Sequence, residues 1–406
     1  MFEFNLFLNV LYFLIGLYFF IYSAYWLLLS LLGIIYSKRK RSINTQSIEI
    51  EKLVILFPAF KPNLKLIEAI KAAKNIITQI DIEILVILQE DINNIKSLIE
   101  KENVTVIEKS FKNVKGNPYH EVLRYSSIKS IEKKASHILL LDKDNVADKD
   151  FLNAICHLGD KNAHVWQGKR QALNQENNWS TYDTLSEKLN DMLLREAKRT
   201  INLPPELSGS AIVFKIDTFS KAVKRLDRRA PGMDKNLLIQ LLLSDQKIDY
   251  VPEAIVWEEK TASIITLQTQ RVRWFGNQYF NALYWGKSLI FKCTKASLDY
   301  LITLYRPPRS IQIILLPLLA ITEILLNNSH YLFTINLLLT YLGIFLFISK
   351  EKAWSAAKRI VFSLPIIAFK NLKSALNGIS KKQQGKFIST ERELVIEEKN
   401  QFKKIA

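Results

Sequence analysis

The chain has 406 residues, 49% of them hydrophobic, and a net charge of +17 from 56 Lys and Arg against 39 Asp and Glu. That length holds one large domain or two ordinary ones, and the excess positive charge suits phospholipid headgroups or nucleotide diphosphates; no nucleic-acid-binding motif accompanies it, so nucleic acid is set aside. The two cysteines, Cys156 and Cys293, form neither a metal-ligand spacing nor a disulfide framework and read as reduced thiols.

Residues 5–37 carry no charge and are rich in Leu, Ile, Phe and Tyr. The run exceeds the roughly 20 residues a spanning helix needs, and its start, Met-Phe-Glu-Phe, lacks the basic character of a signal peptide. It predicts one uncleaved transmembrane anchor over 1–37. Lys38-Arg39-Lys40-Arg41 follows directly, which by the positive-inside bias places the next domain in the cytoplasm, under an inner (plasma) membrane crossed more than once.

From residue 48 to about 257, apolar β-rich runs alternate with helical patterns. Residues 53–57, 82–88, 104–107, 138–141, 211–214 and 248–251 read as strands. Residues 64–77 read as a helix, and Leu185, Leu189, Met192 and Leu193 mark another. The alternation predicts an α/β domain with a parallel or mixed sheet covered by helices, and ligands in such sheets sit at the carboxyl ends of strands. The segments there are Pro58-Ala59-Phe60-Lys61, Gln89-Glu90-Asp91 and Asp142-Lys143-Asp144.

Asp142 and Asp144 follow an apolar strand, and alternation along an extended segment would point both carboxylates the same way, toward one hard cation, Mg2+ or Mn2+. Further on, Gln270-Arg271-Val272-Arg273-Trp274 places Gln270, Arg273 and Trp274 on one helix face. A guanidinium fork suits diphosphate oxygens and an indole suits a sugar face, although a basic helix against lipid headgroups would carry the same residues.

After residue 275 the chain turns apolar again. Leu298, Leu301, Ile302 and Tyr305 share a helix face that Arg306-Pro307-Pro308-Arg309 ends, giving interfacial helices over 276–309. Residues 311–326 and 331–349 flank a polar Asn327-Asn328-Ser329-His330 turn and predict a transmembrane helical hairpin over 310–349. Trp354, Ala357, Val361, Leu364 and Ala368 recur near helical spacing, so residues 353–369 read as an interfacial helix, ahead of the alternative of a third span, before a basic cytoplasmic tail within a closing segment 350–406.

The order strand–Pro-Ala, D-x-D, Gly-Ser-Ala, a late Asp, then Q-R-x-R-W followed by membrane helices resembles the family 2 processive β-glycosyltransferases: the cellulose, chitin, hyaluronan and poly-N-acetylglucosamine synthases. Phe387-Ile388-Ser389-Thr390-Glu391-Arg392 also resembles the Trp-x-x-Thr-x-Arg ending of bacterial members. The resemblance implies a GT-A nucleotide-sugar-binding domain over 48–275. It implies that Pro58 and Ala59 border the uridine and that Asp91 contacts the nucleobase side. Asp142 and Asp144 would bind the diphosphate and the metal, Gly209-Ser210-Ala211 would line the acceptor, and Asp234 would be the general base. Gln270, Arg273 and Trp274 would close the site. The acidic residue that usually precedes the base is Met233 here.

The implied activity is inverting transfer from a nucleotide sugar, a UDP-sugar first, to an acceptor hydroxyl at the membrane, with β-linked polysaccharide synthesis ahead of single-step glycosylation of a ceramide- or diacylglycerol-type membrane lipid. A non-catalytic membrane scaffold is the reading from another class. Neither the donor sugar nor the oligomeric state follows from these motifs.

Overall fold

The computed structural model describes residues 2–38, 47–90, 95–111, 113–325 and 331–380. Asp91, the 327–330 turn, Arg39 to Arg41 and the 387–392 motif lie outside the described residues.

A single long helix, α1 (Phe2–Lys38), precedes the α/β domain. There, β1 (Lys52–Phe60), α2 (Leu64–Lys74), β2 (Asp81–Gln89), α3 (Lys96–Glu100) and β3 (Thr105–Glu108) form a parallel half-sheet with its crossovers. Next come α4 (Pro118–Glu132), β4 (His137–Leu140), β5 (Val146–Ala147), α5 (Phe151–Leu158) and β6 (Val165–Ala172). Helix α6 (Asn178–Asn190) continues as a π-helical stretch (Asp191–Glu196) into α7 (Ala197–Thr200); β7 (Ile212–Lys215), α8 (Ile216–Lys224), α9 (Met233–Leu243) and β8 (Ile248–Glu258) complete the domain.

The strand order is β3-β2-β1-β4-β7-β6-β8-β5, with β4–β7, β6–β7 and β5–β8 antiparallel, so the sheet is mixed. β1 shows why it sits centrally. Leu53, Ile55 and Phe57 face one layer with α2 and α5, and Val54 and Leu56 face the other with α4, α8 and α9; all five are fully buried. A strand buried on both faces reads as a continuous apolar run.

The sequence pattern conceals β6. Its second half, Lys169-Arg170-Gln171-Ala172, is only partly buried, and the register against β8 shifts at Gly168/Lys169, so no apolar alternation survives there.

After the sheet, α10 (Ile264–Lys292), α11 (Lys295–Leu304), α12 (Arg309–Leu325), α13 (Leu332–Lys350), α14 (Trp354–Ile360) and α15 (Leu364–Ile379) follow. Helix α10 runs unbroken across residue 275, where an interfacial segment was expected to begin. Among the described residues two helices, Asn9–Lys38 within α1 and Leu332–Lys350, are long and apolar enough to cross a membrane; α12 joins them only when counted with α11 across a 68° bend. α1, α12 and α13 pack together around a buried polar cluster in which Gln312 Nε2 donates to Ser23 Oγ (3.0 Å) and Thr340 Oγ1 (3.2 Å). Glu323 accepts from the backbone N–H groups of Phe333 (3.1 Å) and Thr334 (2.8 Å), capping the start of α13.

One expected feature is overturned. Residues 353–369 are not one helix: a 3-10 turn (Val361–Ser363) separates α14 from α15, and the expected stripe splits, with Trp354 and Val361 exposed and Ala368 buried. Pro365 stands in the first turn of α15, where its missing N–H is tolerated but an α-helix running through from α14 would lose a hydrogen bond. α15 then packs across α10, closely enough that a Cβ on Gly378 would lie 2.8 Å from the backbone N of Gly276.

Candidate active site

A cleft of about 320 Å3 opens where the carboxyl ends of β1 and β4 meet α9, α10 and the loop before α12. Asp142, Asp144, Gly209, Asp234, Gln270, Arg273 and Trp274 all line it, as does Pro58. Ala59 and Ser210 do not. Both are fully buried behind the lining, Ala59 in the layer under β1 and Ser210 with its hydroxyl unpartnered among the described residues.

Asp142 and Asp144 reach the cleft by a turn rather than along an extended strand. Asn145 N donates to Asp142 O (3.1 Å), while Asn145 Oδ1 accepts from Asp142 N (3.1 Å), so the segment folds on itself directly after β4. Between the two carboxylates, Lys143 Nζ donates to the carbonyls of Phe60 and Lys61, each at 2.9 Å. The middle residue of the D-x-D thus ties this turn to the end of β1.

The Gly-Ser-Ala turn adopts an uncommon backbone. Gly209 has φ +94° and Ala211 φ +56°, and a Cβ on Gly209 would lie 3.9 Å from the Cβ of Asp234. The turn thereby presents backbone, not side chain, beside that aspartate.

Asp234 stands in the first turn of α9, after Gly232 as N-cap. Its Oδ1 accepts from Asn277 Nδ2 at 2.8 Å. Asn277 completes a helix face with Gln270, Arg273 and Trp274, at the i, i+3, i+4 and i+7 positions of α10. Behind it, Asn281 Nδ2 donates to Asn277 Oδ1 (2.8 Å), and Asn236 Nδ2 donates to Asn281 Oδ1 (2.9 Å). Three buried amides therefore hold the aspartate from behind. The helical spacing from Gln270 to Asn277 was the available signal for Asn277; nothing local marks Asn281 or Asn236.

The walls are charged beyond the expected residues. Arg271 donates to Asp183 Oδ1 (3.0 Å) and stacks 4.3 Å from the Trp274 ring centre, which sets the indole's orientation. Arg170 and Arg195 share Glu187, at 3.0 and 3.1 Å, and Arg195 also pairs with Asp191 on the π-helical stretch. Burial opposes the ionisation of Glu187, but Arg170, Lys260 and Arg195 together hold its carboxyl well below the usual range. Glu206 likewise is held down to about 2, since Lys198, Arg306, Lys235 and Arg195 outweigh its burial. Lys235 moves the other way: burial, reinforced by Arg306 and Lys198, lowers it despite Glu206 and Asp234. Cations outnumber carboxylates along the lining, an arrangement that attracts a polyanion.

Residues 137–348 match the family model described as glycosyl transferase family group 2, a span just over half of the chain. Among solved structures, the mannosyltransferase PcManGT from Pyrobaculum calidifontis, in complex with GDP-Man and Mn2+, aligns with 87% of this chain and 93% of its own at 11% identity and a TM-score of 0.53. TarS 1-349 of S. aureus, in complex with UDP-GlcNAc, aligns over 82% of each chain at 10% identity and a TM-score of 0.35. No curated protein matches the chain. The mixed sheet, its layering and the cleft at its strand ends are those of a GT-A domain, and the chain belongs to glycosyl transferase family group 2 as a glycosyltransferase.

Proposed function

We propose that the protein is an inverting glycosyltransferase that moves a sugar from a nucleotide sugar to a lipid-borne hydroxyl at the cytoplasmic membrane surface. The observation that carries this reading is the convergence of Asp142, Asp144, Asp234, Arg273 and Trp274, from three separate stretches of chain, on one cleft.

The donor's diphosphate lies against Asp142, Asp144 and Arg273, with the nucleobase toward Pro58 and, in sequence, Asp91. Two half-buried carboxylates fit Mg2+ or Mn2+. Among the described residues no third His, Cys, Asp or Glu joins them in a metal-binding group, and these hard ions usually take phosphate oxygens and water for their other positions. Bound there, the ion would neutralise charge on the leaving diphosphate.

Asp234 accepts the proton of the acceptor hydroxyl as its oxygen bonds to the anomeric carbon; the bond to the diphosphate breaks, and its electron pair departs with the leaving group. Arg273 meets that developing charge. One displacement inverts configuration, so an α-linked donor gives a β-linked product. Gln270, Trp274 and the Gly209-Ser210 turn border the acceptor.

The family resemblance put polysaccharide synthesis first, but the membrane part favours the lipid. α1, α12 and α13 pack directly on one another through Ser23, Gln312 and Thr340, and Leu194, Arg306, Pro307 and Arg309 of the cleft lining also border a crevice against α1. A screen of GDP-Man, UDP-GlcNAc and UDP-Glc with Mn2+ for release of nucleoside diphosphate tests the activity. Asp234→Asn should lower transfer about 10²–10⁴-fold while donor binding persists. A ladder of labelled products would favour the polymer instead, and no turnover of any donor would end the transferase reading.

A further inference from the structure

Two arginines of the cleft lining have no salt-bridge partner among the described residues. Arg306 and Arg309 both line the cleft, and neither has a carboxylate within 4.0 Å among the described residues. Glu206, whose carboxyl Arg306 helps to hold low, already faces Lys198 (3.6 Å) and Lys235 (4.0 Å). Arg309 donates from Nη2 to the neutral amide of Asn190, and its Nη1 is fully buried with no partner among the described residues. A desolvated guanidinium nitrogen without a partner is costly unless an anion completes it.

The segment that carries them is held rigidly. Pro307 and Pro308 fix two φ angles between the arginines. Gln278 Nε2 donates to the carbonyls of Leu304 and Arg306, both at 2.9 Å, and Tyr18 on α1 donates to the carbonyl of Tyr305 at 2.9 Å. Ser310 Oγ accepts from Asn371 at 2.7 Å, and Arg309 lies 5.9 Å from the ring centre of Trp26. So two forks are preorganised on the side of the cleft that meets the membrane helices.

The two arginines stand at the junction of α11 and α12, whereas Asp142 and Asp144 follow β4 and Arg273 stands on α10. Arg306, Pro307, Arg309 and Leu194 also line a second, apolar crevice of about 40 Å3, walled by Tyr22, Trp26 and Leu29 of α1. The two arginines thus border both the polar cleft and an apolar crevice against α1.

We propose that Arg306 and Arg309 bind the phosphoryl group of an anionic membrane lipid, whose adjoining headgroup hydroxyl is the acceptor presented to Asp234 and whose chain enters the crevice along α1. The inference rests on the transferase reading above and adds the acceptor's class. Arginine forks match phosphoryl oxygens two at a time, which fixes the headgroup's orientation as well as its affinity. Ceramide and diacylglycerol, which have no phosphoryl group, would leave both forks unmatched.

The test uses the full chain in phosphatidylcholine vesicles with either phosphatidylglycerol or diacylglycerol added, and two readouts. Electron spin resonance of spin-labelled phosphatidylglycerol measures binding without turnover, and transfer from a labelled nucleotide sugar measures acceptor use. We expect at least a tenfold preference for phosphatidylglycerol over diacylglycerol as acceptor. Arg306→Gln with Arg309→Gln should remove the lipid's immobilisation and raise its KM at least tenfold, with the donor's KM within about twofold. Arg306→Gln alone, and Arg306→Lys with Arg309→Lys, should give intermediate losses, and Lys358→Gln, an exposed charge outside the cleft, should give none.

Equal use of both lipids, unchanged immobilisation in a folded double variant, or a rise confined to the donor's KM would each overturn the proposal; the last would assign the arginines to the donor diphosphate. Absence of all turnover, with the arginine-dependent immobilisation intact, would instead remove the transferase reading and leave the lipid site standing.

Discussion

The amide of Asn277 on α10 donates to Asp234 Oδ1 on α9 at 2.8 Å, so the helix that carries Arg273 and Trp274 also holds the aspartate proposed to take the acceptor's proton. The contact needs Gly232: a Cβ there would stand 2.7 Å from Asn277 Nδ2. The resemblance to the family 2 synthases leads to the expectation of an acidic residue before this aspartate. Here Met233 is buried in the core, and an amide chain from Asn236 through Asn281 supplies the restraint.

Asn277→Ala should therefore lower kcat about 10–100-fold with the donor's KM nearly unchanged, the loss expected for one hydrogen bond to a charged group. Gly232→Ala should reproduce the effect by displacing the amide. Steady-state kinetics at saturating donor separates this from a binding defect; an equal rise in the donor's KM would count against it.

Metal dependence should follow the D-x-D turn. A chelator should stop diphosphate release and added Mn2+ or Mg2+ should restore it. Asp144→Asn should raise the metal concentration needed for half-maximal activity at least about tenfold, because one of only two carboxylate ligands is lost. Titration of activity against metal at fixed donor measures the shift.

Glu187 lies between Arg170, which is partly buried, and Arg195, which is buried. Glu187→Gln removes the shared counter-charge and should cost about 3–5 kcal/mol of stability, the usual penalty for breaking a buried ion pair on one side. Chemical denaturation in detergent, followed by tryptophan fluorescence, provides the value. Activity should fall with it, since both arginines line the cleft.

Stability should also fall in mild acid. Burial, with Arg124 nearby, lowers His120 to about 4, and burial with Lys215 does the same for His137. In the unfolded chain both titrate near 6.5, so between about pH 6.5 and 4 the unfolded state takes up protons that the folded state refuses. Stability is then lost as pH falls through that window, by about 1.4 kcal/mol per pH unit for each histidine, and is flat above it. Denaturation midpoints from pH 7.5 to 4.5 should show the decline, and His137→Gln should make it shallower.

Much of the architecture was legible because burial leaves a local trace. The long N-terminal helix, the strands at 53–57 and 82–88 and the long apolar helices beyond residue 310 follow from unbroken apolar runs. The D-x-D and Q-R-x-R-W segments were visible for another reason: their spacing carries chemistry on one turn or one helix face. β6 was not legible, since its polar half pairs in the sheet without a buried stripe. The break at 361–363 escaped because a helical stripe can persist on paper through a proline that the backbone does not tolerate.

What local pattern settled, then, was which segments are apolar, which alternate, and which short motifs carry charge, because those properties depend on neighbours a few residues apart. Tertiary structure alone decided that Asn277 reaches Asp234, that Lys143 ties its turn to β1, and that Arg306 and Arg309 face the cleft beside α1 without a carboxylate partner among the described residues. Each of those depends on distances between segments far apart in the chain, which only packing of the whole sheet and its helices fixes.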